Sequence, residues 1–328
     1  MPHSNCSVCQ PPKTSFSEHP IGSITTLARM LKLTTQELAH LAQNADKLYR
    51  IGKREKKKDG TTRLCFDALG PLNSAQARIQ CLILNKVTYP EYLQGSIKDK
   101  ASPRGQAANA RLHTNQKTII TLDITQFFPS VSHAIVFDIW HRFFRCPPSV
   151  ATCLTKLTTK EGALPQGTKT SNLLANLVFW EEEWQLAAQL HANNIRYTRL
   201  TDDITCSSHR PMTTHEKTTC IAAIRAMCLR KRLRLNRKKQ TIANAATRMV
   251  TTKLVVNTKT SLTRQQRAAI RSAVNTLSNV PPEQRSTAHY QRQYSRASGR
   301  VAYLKQHHPH EAAELRTTLR HTRPIRQD

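Results

Sequence analysis

The sequence predicts an α+β chain, and three observations carry that reading. Apolar residues recur at helical spacing towards both ends, and strand-like runs flank turn dipeptides between them. One of those turns holds two adjacent acids, Asp202-Asp203. The chain has 328 residues, which fits two domains or one with sub-domains. It carries 50 Lys and Arg against 21 Asp and Glu, a formal net charge of +29 spread along its whole length. Such a surplus repels itself unless something anionic balances it, and nucleic-acid phosphates do so with release of counterions. At 38% hydrophobic residues the chain can still build a core. It contains no apolar run of membrane-spanning length. The start, MPHSNCSVCQ, lacks the basic-then-apolar pattern of a secretory signal, and nine cysteines form no disulfide framework. These readings exclude secreted, membrane and disulfide-rich classes and place the protein in the cytoplasm.

Taken in order, the first twenty residues are polar, broken by Pro11, Pro12 and Pro20, and read as a loose arm. Ile24, Leu27, Ala28 and Leu31 follow a helical period, and Thr34 with Glu37 forms a capping box that opens a second helix. Two short runs flank Asp59-Gly60, a dipeptide suited to a two-residue hairpin turn. That hairpin carries Lys53, Arg54, Lys56, Lys57, Lys58 and Arg63, and a solvated basic hairpin is the plain alternative to a binding surface. Residues 73–86 read as a helix and Ile119 to Ile124 as a strand interrupted by Asp123. Residues 170–190 read as one long helix, 195–208 as strand–turn–strand and 217–235 as a strongly basic helix. Residues 252–257 read as a short strand; beyond 258 the pattern is helical, with Thr263 and Gln266 as another capping box.

The Asp202-Asp203 pair is the most informative feature. Adjacent carboxylates between apolar strands repel each other, and a hard divalent cation such as Mg²⁺ removes that cost. Asp123 ends another apolar strand, where folding can bring it beside the pair. Three carboxylates around two metals about 3.5–4 Å apart would clamp both oxygens of an in-line phosphoryl transfer. A turn or helix cap is the bland explanation of an isolated DD dipeptide. Cys6-x-x-Cys9 has half of a zinc spacing and no second half. The other cysteines read as buried small hydrophobes, and Trp140, Trp180 and Trp184 as core.

With those residues in place the chain resembles bacterial reverse transcriptases. LDITQFFPSV is similar to their motif A, ALPQGTKTSNLLANL to motif B, RYTRLTDDIT to motif C and LRLNRKKQT to motif D. Asn109-Ala110-Arg111-Leu112-His113 fits the NAxxH signature of retron enzymes. MVTTKLVVN resembles the region of their VTG signature, and GRVAYLKQHHP looks like the family's thumb. The resemblance spans roughly residues 25–320. Two positions depart from it. Leu200 stands where motif C carries a tyrosine near the primer end, and Thr252 stands where the VTG signature has glycine.

The resemblance implies a right-hand polymerase fold in which an antiparallel palm sheet carries the catalytic carboxylates. Its expected boundaries are an N-terminal arm and helices over 1–45, interleaved fingers and palm over 46–257, and a basic helical thumb over 258–328. It implies RNA-templated DNA synthesis with two Mg²⁺ ions held by Asp123, Asp202 and Asp203. Arg63 and one of Lys56–Lys58 (Lys58 above all) would lie over the triphosphate, where a planar fork and point charges suit phosphate oxygens. Gln166 and Gly167 would shape the nucleotide pocket. Lys239, or Lys238, would neutralise or protonate the leaving pyrophosphate; a solvated position is the alternative for Lys239. Phe128 would pack under the incoming sugar and select deoxynucleotides, whereas Phe127, its neighbour on an extended segment, would face away; ordinary core packing is the alternative for Phe128. Asn109, His113, Val250, Thr251 and Thr252 would meet RNA, with a hydrogen-bonded structural histidine as the alternative for His113. The implied partners are a structured non-coding RNA, its short DNA product, deoxynucleotides and a separate effector protein in phage defence, with no membrane. Other readings are a non-retron defence reverse transcriptase and a catalytically inactive RNA-binding protein.

Overall fold

The computed structural model describes residues 12–56, 60 and 62–325. It divides into two compact units: residues up to Asn109 together with Lys117–Asn244, and Ala110–Gln116 together with the residues from Ala245 onward.

The first unit opens with α1 (Ile24–Leu31), whose N-cap Ser23 accepts from Thr26 N–H, and α2 (Thr35–Asn44), where both halves of the Thr34–Glu37 capping box form. The arm before α1 is less loose than its composition suggests. Ser15 and Thr88 exchange backbone hydrogen bonds of 3.1 and 2.9 Å, and Phe16 sets its ring edge-on to Phe144. Strands β1 (Tyr49–Lys56) and β2 (Thr62–Ala68) form the antiparallel hairpin expected around Gly60. Next come α3 (Gly70–Leu82), begun by Pro71 in its first turn, and α4 (Gln106–Leu112), which crosses the boundary between units.

A four-stranded antiparallel sheet carries the centre of this unit. Its strands are β3 (Thr118–Asp123), β4 (Arg196–Leu200), β5 (Asp203–Ser208) and β6 (Thr241–Asn244), in the order β4-β5-β3-β6. Around it lie α5 (Phe127–Ser130), α6 (His133–Asp138), α7 (Pro148–Thr158), α8 (Ser171–Asn176), α9 (Glu183–Ala192) and α10 (Thr214–Arg230). One continuous apolar core joins α1, α2, α3 and α7 to Trp140, Phe144, Phe179 and the inner residues of the sheet.

The single helix expected over 170–190 is instead two, α8 and α9. The cause lies twenty residues further on. The Arg199 guanidinium donates to the carbonyls of Asn176 (2.9 Å) and Ala175 (3.4 Å), so the chain tightens into turns from Leu177 and Trp180 N–H bonds Leu177 O rather than Asn176 O.

The second unit is small strand and helix. Strands β7 (Val250–Thr251) and β8 (Leu254–Val255) replace the single strand expected over 252–257. Thr252 and Lys253 close them with positive φ of 45° and 66°. Helices α11 (Arg264–Ser278), opened by the Thr263–Gln266 capping box, α12 (Ala288–Lys305) and α13 (Pro309–His321) complete the unit. Among the described residues no helix is long and apolar enough to cross a membrane.

Candidate active site

The strand–turn–strand at 195–208 does what its sequence requires. Strand β5 lies between β3 and β4, and the register sets Asp123 directly opposite Asp203. Ile124 N–H donates to Asp202 O at 3.0 Å, which ties the end of β3 to the acidic turn. Asn236 N–H donates to Asp123 O at 2.7 Å, and the Asn236 side chain accepts from Lys238 N–H, shaping the turn that turns Lys239 towards the acids. The Lys239 ammonium lies 2.9 Å from Asp123 Oδ1. Sequence reasoning left Lys239 between a leaving-group contact and a solvated position; here it is an ion-pair partner of a candidate metal ligand.

A cavity of about 440 Å³ opens at this corner. Its walls include Arg63, Asp123, Phe127, Phe128, Gln166, Asp202 and Lys239. Six of these seven were read from the sequence as site residues. Asp203 is on the strand facing Asp123 but is not part of the cavity wall. Burial pushes the Asp202 carboxyl above its usual range; Asp123's charge adds to the rise, and Arg63 and Lys239 oppose it.

Phe128 is buried with its ring against the cavity, but the segment is not extended. Gln126 takes a left-handed φ of 44° and Phe127–Ser130 then turns as a short helix. Phe127 therefore differs from Phe128 because it stacks on Phe179, with ring centroids 6.5 Å apart, and not because alternate residues face opposite ways. Gly167 has φ 105°, and a Cβ there would meet Phe66 O at 3.1 Å, so only glycine fits comfortably. Next to it Gln166 O accepts Phe66 N–H at 2.7 Å, which joins the basic hairpin to the cavity floor.

Some expected site residues lie elsewhere. Asn109 and His113 are fully buried, so RNA does not reach their side chains in this structure. The Asn109 amide has no hydrogen-bond partner among the described residues. Val250, Thr251 and Thr252 form the β7–β8 hairpin of the second unit, with Thr251 buried. Lys58, Cys6 and Cys9 lie outside the described residues. Cavity residues that sequence reasoning missed include Lys160, whose ammonium stands 5.1 Å from the Phe66 ring, and Asn236. Asn236 was legible, since it belongs to the LNRKK segment; nothing local marked Lys160.

With this geometry described, the class of protein follows. The chain matches the family described as reverse transcriptase (RNA-dependent DNA polymerase) over residues 13–290 and belongs to it. It is of the retron type. It is 33% identical to the retron Se72 reverse transcriptase of Salmonella heidelberg over 320 residues, 96% of this chain and 83% of that protein. Identity to the Escherichia coli retron Ec48 enzyme is 28% over 59% of this chain and 49% of the relative, and to the Myxococcus xanthus retron Mx65 enzyme 25% over 79% and 61%. Membership brings the right-hand polymerase fold and RNA-directed DNA polymerase activity.

Reverse transcriptases use divalent metal ions. Among the described residues no three His, Cys, Asp or Glu side chains already form a closed metal-binding group. The charges at the corner nevertheless fit a cation. Asp202 is half-buried and repelled by Asp123, and a lysine ammonium already compensates Asp123.

Proposed function

We propose that this protein copies a dedicated structured non-coding RNA into a short DNA joined to it, and that Asp123, Asp202 and Asp203 are its catalytic carboxylates. The observation that carries the reading is the meeting of motif residues distant in sequence, Arg63, Asp123, Phe128, Gln166, Asp202 and Lys239, around one cavity. In this reading the fingers and palm run over 46–257 and the thumb over 258–328. The three acids hold two Mg²⁺ ions, which when bound stabilise the charge of the attacking and leaving oxygens. Arg63 and Lys58 steady the triphosphate, Gln166 and Gly167 shape the base and sugar pocket, and Phe128 lies under the sugar. Lys239 exchanges Asp123 for the charge that develops on the departing pyrophosphate. The 250–252 hairpin and the basic second unit grip the RNA, while Asn109 and His113 support that grip from inside. The setting is a cytoplasmic defence against phage, with a separate effector protein.

Sequencing the nucleic acid that copurifies with the chain tests this directly. A fixed RNA–DNA hybrid of one sequence is expected. Heterogeneous RNA with extended DNA would instead support a reverse transcriptase with another priming mode. Bound RNA without any DNA, and no primer extension, would mean an inactive binding protein.

A further inference from the structure

The acidic turn rests on a buried charge that the chemistry described above does not use. Arg199, at the penultimate position of β4, is completely buried together with Glu183 of α9. The two form a fork: Nε donates to Oε1 at 2.6 Å and Nη2 to Oε2 at 2.7 Å. Tyr197 Oη donates to the same Glu183 Oε1 at 2.7 Å. The remaining guanidinium hydrogens reach three carbonyls, those of Ala175, Asn176 and, at 3.0 Å, Thr201. A guanidinium has five N–H donors, and these five contacts account for all of them. A lysine, with three donors on a single nitrogen, cannot reproduce that set.

Thr201 is the contact that matters. It holds a φ of 61°, a left-handed conformation that β-branched residues avoid, immediately before Asp202. On its other side lies Gly95, where a Cβ would fall 2.6 Å from Thr201 Oγ1 and 2.8 Å from Thr201 N. Gly95 is itself fixed by Asn176, whose Nδ2 donates to its carbonyl at 2.7 Å. The same Asn176 carbonyl is bound by Arg199. The turn is thus gripped from both sides by one connected network. A desolvated ion pair is a poor source of stability compared with apolar packing, so its presence in the core calls for another role.

We propose that Arg199 is a positioning residue for the metal site: clamped by Glu183, it holds the Thr201 carbonyl and with Gly95 fixes the strained turn that presents Asp202 and Asp203. The inference rests on the carboxylate reading above. Arg199→Lys keeps a cation beside Glu183 but lacks the donors to hold both partner and turn, so the acids lose their fixed aim. Loss of an outer partner of this kind weakens metal affinity by about 10-fold or more.

The test is Mn²⁺ binding to the full chain, followed by electron paramagnetic resonance in the absence of nucleotides, with Asp202→Asn defining non-site binding. Arg199→Lys should weaken the Asp202-dependent binding about 10-fold. Glycine adopts the left-handed turn without penalty, so Thr201→Gly added to Arg199→Lys should restore much of the loss. A purely structural Arg199 would show no such rescue. Should Arg199→Lys fail to fold, Gly95→Ala presses on the turn from the opposite side without touching the ion pair, and should weaken binding in the same direction. If Asp202→Asn binds Mn²⁺ like wild type, the carboxylate reading itself falls. If Asp202→Asn loses the site while Arg199→Lys or Gly95→Ala binds with unaltered affinity, the positioning role alone is overturned.

Discussion

Among the described residues two hairpins close on a threonine in left-handed backbone, and they are supported in different ways. The β4–β5 turn has Thr201 at φ 61°, backed by a fully buried guanidinium and a close-fitting glycine. The β7–β8 turn has Thr252 at φ 45° and Lys253 at φ 66°, with Lys253 exposed and only two residue pairs in its ladder. Val256 N–H extends it with a bond to Met249 O at 3.0 Å, and Asn257 braces it, its Oδ1 accepting Met249 N–H at 2.9 Å and its Nδ2 donating to Thr247 O at 2.7 Å. Strained conformations persist only where the surroundings over-determine them. In the first hairpin the core supplies that constraint, which suits a turn carrying acids that must be aimed. In the second a short ladder and the Asn257 brace contribute to it, which would suit the RNA-contacting surface proposed above.

Breaking the first turn should have the largest effect. Proline fixes φ near −65°, so Thr201→Pro cannot keep the observed backbone. Primer extension should fall by at least about 100-fold, since misplacement of reacting groups by about 1 Å has that scale. RNA affinity, measured by filter binding, should stay close to wild type. Matching losses in both would show that the two hairpins do not divide the work.

Phe128 tests the cavity beneath the first turn. Phe128→Ala should admit ribonucleotides in single-nucleotide extension, at some loss of rate, because the ring lies in the cavity wall. Phe127 borders the cavity too, but it is 2% exposed and its ring stacks on Phe179, so Phe127→Ala should instead destabilise the fold by about 3–5 kcal/mol. Unchanged sugar discrimination in a soluble, active Phe128→Ala protein would make Phe128 packing and nothing more.

For the second hairpin the readout is salt. Log K for RNA should fall linearly with log salt, by about 0.7–0.9 per phosphate contact. Replacing exposed Arg248 and Lys253 together should lower that slope by between one and two such steps. The basic stretch 225–238 offers a second set. There exposed Arg225, Arg237 and Lys238 are informative positions, whereas Arg230 and Lys231 already pair with Glu182 and Glu181. A slope indifferent to all five would remove both surfaces from RNA binding.

The smallest effect belongs to Thr252→Gly, which restores the residue of the family signature. Glycine tolerates φ 45°, so the variant should gain about 1 kcal/mol in denaturant unfolding of the second unit. A loss of stability would mean that the threonine side chain holds the turn.

The sequence made local devices legible and long-range ones illegible. The two capping boxes at Thr34 and Thr263, the hairpin around Gly60 and the strand–Asp-Asp–strand unit are written in neighbouring residues and appear as read, although a third box, Thr213 with Glu216, went unread. The pairing of Asp123 with Asp203 was expected from resemblance and from strand placement. The break between α8 and α9 was not readable, because its cause is Arg199, more than twenty residues away. The turn at Phe127–Ser130 was misread as extended because Gln126 adopts positive φ without a glycine to announce it. Nor did any local signal mark Gly95 as the seat of Thr201, since that contact spans two loops.

The central claim is that the acids at the end of β3 and in the β4–β5 turn perform the chemistry, while the cationic surfaces hold the RNA. Asp203→Asn separates the two, because it removes one negative charge and one candidate ligand while leaving the strand register and the basic residues in place. Primer extension and RNA affinity measured on the same preparation provide the comparison. The account predicts no detectable extension and RNA binding as tight as wild type or slightly tighter. Near-wild-type extension by Asp203→Asn would contradict it.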